Sequence, residues 1–204
     1  MNRKMLILTI IVVAIAIPVG VYTFSPLFIN RTINEPLPSD AVQQYQKFIS
    51  MDQQHRINAA KSMDEKQKNM IMRAAAAQIN STVNEQADNL IQNKQQQKII
   101  TSAFIGAGDG FHNTEGAAKV IPLQDRGSIL RLENFRSTNG PNVHVYMSTN
   151  KDATDFVDLG RLKANNGNQN YNIPIGINVA KYKYVLIWCK DFSVLFGSAQ
   201  LTTS

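Results

Sequence analysis

Three different rhythms of apolar and polar residues run along this chain. From Met5 to Asn30 no side chain is charged, and Met5 to Val21 is almost wholly Leu, Ile, Val, Ala and Met, behind the basic pair Arg3 and Lys4. Such a run, wound as a helix, is long enough to cross an apolar layer about 30 Å thick. Pro18 and Gly20 fall near its end, where a kink costs least. A cleaved signal peptide shares the basic start, but no Ala-x-Ala site follows. Retention as a single-pass membrane anchor over 1–30 and removal to give a secreted protein are both open. In either case the basic flank stays inside, so the chain beyond about residue 31 is expected to be extracytoplasmic.

The second rhythm is helical. Residues 39–98 contain no glycine and, after Pro38, no proline. Ser39 or Asp40 can cap a helix in which Val42, Tyr45, Phe48 and Ile49 recur at helical spacing on the way to His55 and Arg56. Ser62-x-x-Glu65 reads as a capping box, predicting a second helix from Met63 to about Asn80. Val83 to Lys98 has Val83, Ala87, Leu90 and Ile91 on one side and predicts a third, frayed helix or a spacer. Residues 31–98 are therefore expected to be a helical hairpin or spacer. Met63, Met70 and Met72 read as gap-filling helix formers rather than as thioether ligands for copper.

From Thr101 the period shortens to two. β-like runs are predicted at 101–106, 116–122, 128–135, 142–148, 156–163, 168–173, 183–189, 192–196 and 198–202, separated by turn residues such as Asn139-Gly140-Pro141 and Asn165-Asn166-Gly167. Their spacing suits an all-β antiparallel sandwich over 99–204. The chain as a whole is expected to be α+β. Val143, Val145 and Met147 share one face of their strand, with His144 and Tyr146 on the other.

Composition narrows the choices. About 170 residues beyond the apolar run suffice for one core and an accessory segment. The net charge is +6, but Lys and Arg are dispersed, so nucleic acid is not an expected partner. Gly106-x-Gly108-x-Gly110 is followed by another β-like run, not the long helix of a dinucleotide site. A Gly-x-Ser-x-Gly nucleophile elbow is absent. A redox carrier or binding module fits better than a stand-alone enzyme. The single cysteine, Cys189, closes the apolar run Tyr184-Val185-Leu186-Ile187-Trp188-Cys189. One thiol can be an inert core residue, a reactive group, or one ligand of a cofactor completed elsewhere.

Several segments together carry a family resemblance: GFHNTEGAAKVI at 110–121, LRLENF at 130–135, GPNVHVYMS at 140–148, NQNYNIP at 168–174 and YVLIWCKDFSVLFGSAQL at 184–201. In order and spacing they resemble the DM-thirteen domain, a module found beside DOMON domains in animal extracellular proteins and alone in microbes. The resemblance covers about 101–204. It implies a β-sandwich with a redox or electron-transfer role and a nearly invariant cysteine, matched here by Cys189. His112, after Gly110-Phe111, is similar to a histidine near the family's start.

The chemistry expected from this is a membrane-anchored, extracytoplasmic electron-transfer or thiol-redox protein. Cys189 would work bare or as a ligand, with Trp188 shielding the thiol and Lys190 lowering its pKa. Its partners would be the membrane, through the N-terminal helix, and an unidentified redox or cell-envelope protein. For a cofactor, none or a thiolate-ligated haem with His112 or His144 as second axial ligand ranks ahead of copper. A copper site would need Cys189, His112, His144 and Met147 together, and strand parity opposes His144 to Met147. The alternative is a non-catalytic adhesion or structural binding module. It would present the loops at 106–115 and 163–169, with Cys189 merely filling space.

Overall fold

Residues 39–86, 99–123 and 127–202 are described by a computed structural model. The expected anchor over 1–30 lies outside the described residues. Among the described residues no helix is long and apolar enough to cross a membrane.

Three short helices come first: α1 (Ser39–Ile49), α2 (Gln53–Ser62) and α3 (Glu65–Ala76). The long first helix expected from periodicity is broken at 50–52, because Asp52 caps a new helix by accepting from the His55 N–H at 3.0 Å. The expected capping box is shifted by two residues. Asp64 accepts from the Gln67 N–H at 2.7 Å while Gln67 Oε1 accepts from the Asp64 N–H at 3.1 Å. This reciprocal pair satisfies two end amides, and Ser62 instead ends the preceding helix. Val83, expected in a third helix, lies in strand β1 (Thr82–Asn84). The remainder of that stretch, 87–98, falls outside the described residues.

The strands that follow are β2 (Ile100–Ala103), β3 (Ile105–Gly106), β4 (Thr114–Pro122), β5 (Ser128–Ser137), β6 (Val143–Ser148), β7 (Phe156–Arg161), β8 (Asn166–Ile173), β9 (Tyr184–Cys189) and β10 (Val194–Gln200). They form two five-stranded sheets, in the orders β1-β8-β5-β4-β2 and β3-β10-β9-β6-β7. All pairings are antiparallel except β1 with β8. The run 101–106, expected as one strand, is divided at Phe104. Its first half pairs with β4 and its second with β10. Conversely, the two runs expected at 192–196 and 198–202 are one strand, bulged between Leu195 and Gly197.

Leu130, Leu132, Phe135 and Tyr171 of the first sheet interlock with Val143, Val145, Met147, Val185, Ile187 and Phe196 of the second. Each is fully or nearly fully removed from water, and burial of such a side chain is worth about 1.5–3 kcal/mol. The helices pack on this sandwich rather than standing apart from it. Met72 of α3 enters the main core, while Phe48 of α1 stacks on Phe192 at 5.2 Å between ring centroids. Arg56 of α2 donates through Nε to Asp191 Oδ2 at 2.7 Å.

Candidate functional site around Cys189

Cys189 is the last residue of β9, flanked across the ladder by Val143 of β6 and Val194 of β10. Period-two alternation turns its side chain inward with Val185 and Ile187. The residue is 0% exposed and belongs to the main apolar core. Burial pushes the thiol up to about 11, opposed by the Phe192 backbone amide and assisted by the Asp191 carboxylate. A low-dielectric site disfavours the charged form, so the thiol is held neutral.

The surroundings expected for the thiol are arranged differently. Trp188 points to the opposite face of the sheet from Cys189, since neighbouring residues on a strand alternate, and its indole does not cover the sulfur. Lys190 does not lower the thiol pKa. Its Nζ donates to Asp158 Oδ2 at 3.1 Å on β7, and the thiol moves in the other direction. His144 pairs with Trp188 in the ladder and so lies on Trp188's face, away from the sulfur. Met147 faces the core, on the side away from His144, as parity requires. His112 sits in the loop between β3 and β4, its ring 4.3 Å from that of Phe196 and its Nδ1 paired with Asp109 Oδ2. Its Nε2 is buried without a hydrogen-bond partner. Among the described residues no group of three or more His, Cys, Asp and Glu side chains could hold a metal ion. The residues present do not fit a copper set of Cys189, His112, His144 and Met147. Nor do they fit a haem held by Cys189 and His144, which project from opposite faces.

The outer face of the second sheet gathers a different group. Tyr146, next but one to His144 on β6, is buried and stacks on Phe156 of β7, with ring centroids 4.2 Å apart and planes at 11°. Trp188 lies 6.4 Å from Tyr146 at 27°, and the His144 ring 6.2 Å from it. Burial and then the nearby carboxylate of Asp158 raise the Tyr146 phenol well above its usual range. Asp158 itself is pulled upward by burial. Hydrogen bonds from His144, the Gly160 N–H and Lys190 outweigh this and hold it below the ordinary carboxylate value.

This face is wired to the helices by polar contacts. His144 Nδ1 meets Asp158 Oδ1 at 2.9 Å and its Nε2 meets Asn142 Oδ1 at 3.1 Å. Asn142 Nδ2 donates to Asp191 Oδ1 at 2.7 Å, and Asp191 takes Arg56 on its other oxygen. The Asp191 side chain is 0% exposed, so its charge relies on these donors. In the sequence Trp188 stands out only as a neighbour of the thiol. Tyr146, Phe156 and Asp158 carry no motif of their own in the sequence, and the alternation that sets His144 and Tyr146 on one face is the signal that leads to them.

Residues 107–201 match the family model described as Electron transfer DM13, so the resemblance carried by the motifs holds over that segment. No curated protein matches the chain, and no solved structure matches it.

Proposed function

We propose that this DM13 module moves single electrons through the aromatic outer face of its second sheet, at Trp188 and Tyr146, with Cys189 behind them as a neutral core thiol. The observation that carries the reading is the Trp188–Tyr146–Phe156 cluster lying within the segment that matches an electron-transfer family. In the step, half-buried Trp188 gives one electron to a one-electron oxidant on a partner protein and is refilled by a one-electron donor. No covalent bond forms or breaks. The carboxylates of Asp158 and Asp191 disfavour added negative charge at Tyr146. By the same sign they favour the positive hole left on the ring. Exchange chemistry at sulfur needs an accessible thiolate, and burial of Cys189 argues against it. In this reading the module works outside the cytoplasm, held to the membrane by residues 1–30. The basic start and the charge-free run support that placement. An adhesion module with an inert cysteine would also explain the buried thiol, but gives the match no carrier.

The test is flash photolysis with a ruthenium photo-oxidant, reading radicals by transient absorption and electron paramagnetic resonance. An indole radical is expected in the native protein. Trp188→Phe should remove that signal and slow hole transfer by about tenfold or more, equivalent to about 1.4 kcal/mol of barrier. Cys189→Ala should leave both nearly unchanged. Wild-type radical yield in Trp188→Phe, or its loss in Cys189→Ala, defeats the proposal.

A further inference from the structure

The other sheet carries a polar cleft of about 920 Å³, lined by residues of β1, β4, β5 and β8 and by the chain on either side of them. That volume is in the range of about 300–1,000 Å³ found for small-ligand sites. Such sites are mostly apolar, whereas this one is walled chiefly by carboxamides and hydroxyls. Its cause is local backbone geometry. β4 is bulged between Glu115 and Ala117, and β5 between Leu132 and Phe135 where it faces β8. Gly116 (φ 102°) and Asn134 (φ 47°) take left-handed conformations at these bulges. A bulge re-aims the side chains beside it. Here it turns Phe135 into the core and leaves Asn134 and Arg136 exposed on the cleft wall.

What the wall offers is unspent hydrogen-bonding capacity. Among the described residues, the side chains of Asn134, Arg136 and Asn166 make no hydrogen bond or ion pair. Arg136 stands directly across the ladder from Glu115. The two do not pair, and Glu115 Oε1 instead accepts from Asn113 Nδ2 at 2.9 Å. Other carboxamides are fixed by their oxygens alone. Asn168 Oδ1 accepts from the Asn134 N–H at 2.9 Å, and Asn84 Oδ1 accepts from the Asn168 N–H at 3.2 Å. Their NH₂ groups are left as oriented donors. The carboxamides of Asn134 and Asn166 present both a donor and an acceptor, the pairing that vicinal hydroxyls require. A guanidinium with no carboxylate of its own is a fork for a planar carboxylate.

We propose that this cleft binds an acidic oligosaccharide. A uronate carboxylate would sit on Arg136, and ring hydroxyls would meet Asn84, Asn134, Asn166 and Asn168. A peptide is a poorer fit, because the wall has no apolar pocket to anchor side chains. The site is separate from the aromatic face of the second sheet and goes beyond the electron-transfer reading.

The experiment is isothermal titration of the purified full-length chain with an oligomer of galacturonic acid, with the neutral galactose oligomer of equal length, and with a Glu-containing peptide. Binding of the acidic sugar is expected, with the neutral sugar at least about tenfold weaker, a difference of about 1.4 kcal/mol. Arg136→Gln, at an exposed position, should keep the native melting temperature and lose a similar factor. Asn166→Ala should weaken both sugars together. The proposal is overturned by absence of binding, by equal affinity for acidic and neutral sugars, by indifference to Arg136→Gln, or by tighter binding of the peptide. Electron transfer should be unaffected in Arg136→Gln, so failure here leaves the aromatic-face reading standing.

Discussion

Alkylation of Cys189 gives a quantitative handle on the state of the thiol. Burial moves its pKa from about 9 to about 11. At pH 8 the thiolate fraction should then fall from about 10% in the unfolded chain to about 0.1% in the folded one. Ionisation alone should slow alkylation by iodoacetamide about 100-fold, and the full enclosure of the residue slows it further, to the rate of opening fluctuations. The same shift has a thermodynamic face. The folded protein holds this proton more tightly than the unfolded chain, so the stability it contributes is whole below about pH 9. It is lost as pH rises through about 11, and two units correspond to about 3 kcal/mol. Mass-spectrometric alkylation rates in native buffer and in guanidinium would be compared first. Denaturation midpoints of the native protein and Cys189→Ala across pH 8–11 would follow. Tyr146 and Tyr171, whose phenols burial also raises, are present in both proteins, so the difference between the two profiles carries the cysteine together with the smaller part of the Tyr146 shift that the Cys189 charge causes. Native alkylation within about tenfold of the unfolded rate at pH 8 would refute this account of a sealed, neutral thiol. So would an alkaline profile unchanged by Cys189→Ala.

Two further substitutions probe the frame that holds the two faces. Arg56→Ala strands the Asp191 carboxylate, whose side chain is fully buried. It should cost about 3–5 kcal/mol in urea denaturation, with partial recovery when Asp191→Asn is added. Gly167→Ala would put a Cβ 2.0 Å from the Val83 carbonyl oxygen at φ +99°. Backbone strain of about 1–3 kcal/mol, together with displacement of β1, should lower the denaturation midpoint and abolish sugar binding in the cleft.

Much of this architecture could be read directly from residue order, and the reasons for the exceptions are physical. Period-two alternation set Val143, Val145 and Met147 against His144 and Tyr146, and the ladder keeps that division. It also set Cys189 on the face of Val185 and Ile187, which is why its burial was foreseeable as one of three cases. Lys190 neighbours Cys189 in sequence but not in space, since its ammonium reaches Asp158 instead. Its partner, Asp158, is on another strand and becomes visible only once β6 pairs with both β7 and β9. The cap at Asp64 is masked in the sequence, because Ser62-x-x-Glu65 and Asp64-x-x-Gln67 overlap and each could close a reciprocal pair of bonds at its own end amides. Gly197 falls between two expected runs, but in the folded strand its missing side chain admits Thr114, whose Cβ would lie 2.4 Å from an added methyl group. The cleft was hidden for a different reason. Asparagines beside glycines signal turns, and nothing in their spacing shows that bulges collect them on one wall.

The chain's change of sheet at Phe104 has a mechanical consequence. Because β2 belongs to one layer and β3, two residues later, to the other, a single short segment sews the layers together at their margin. Both are edge strands, so a pull arriving through residue 100 loads the β2–β4 ladder first and reaches the other layer only through the turn at Phe104.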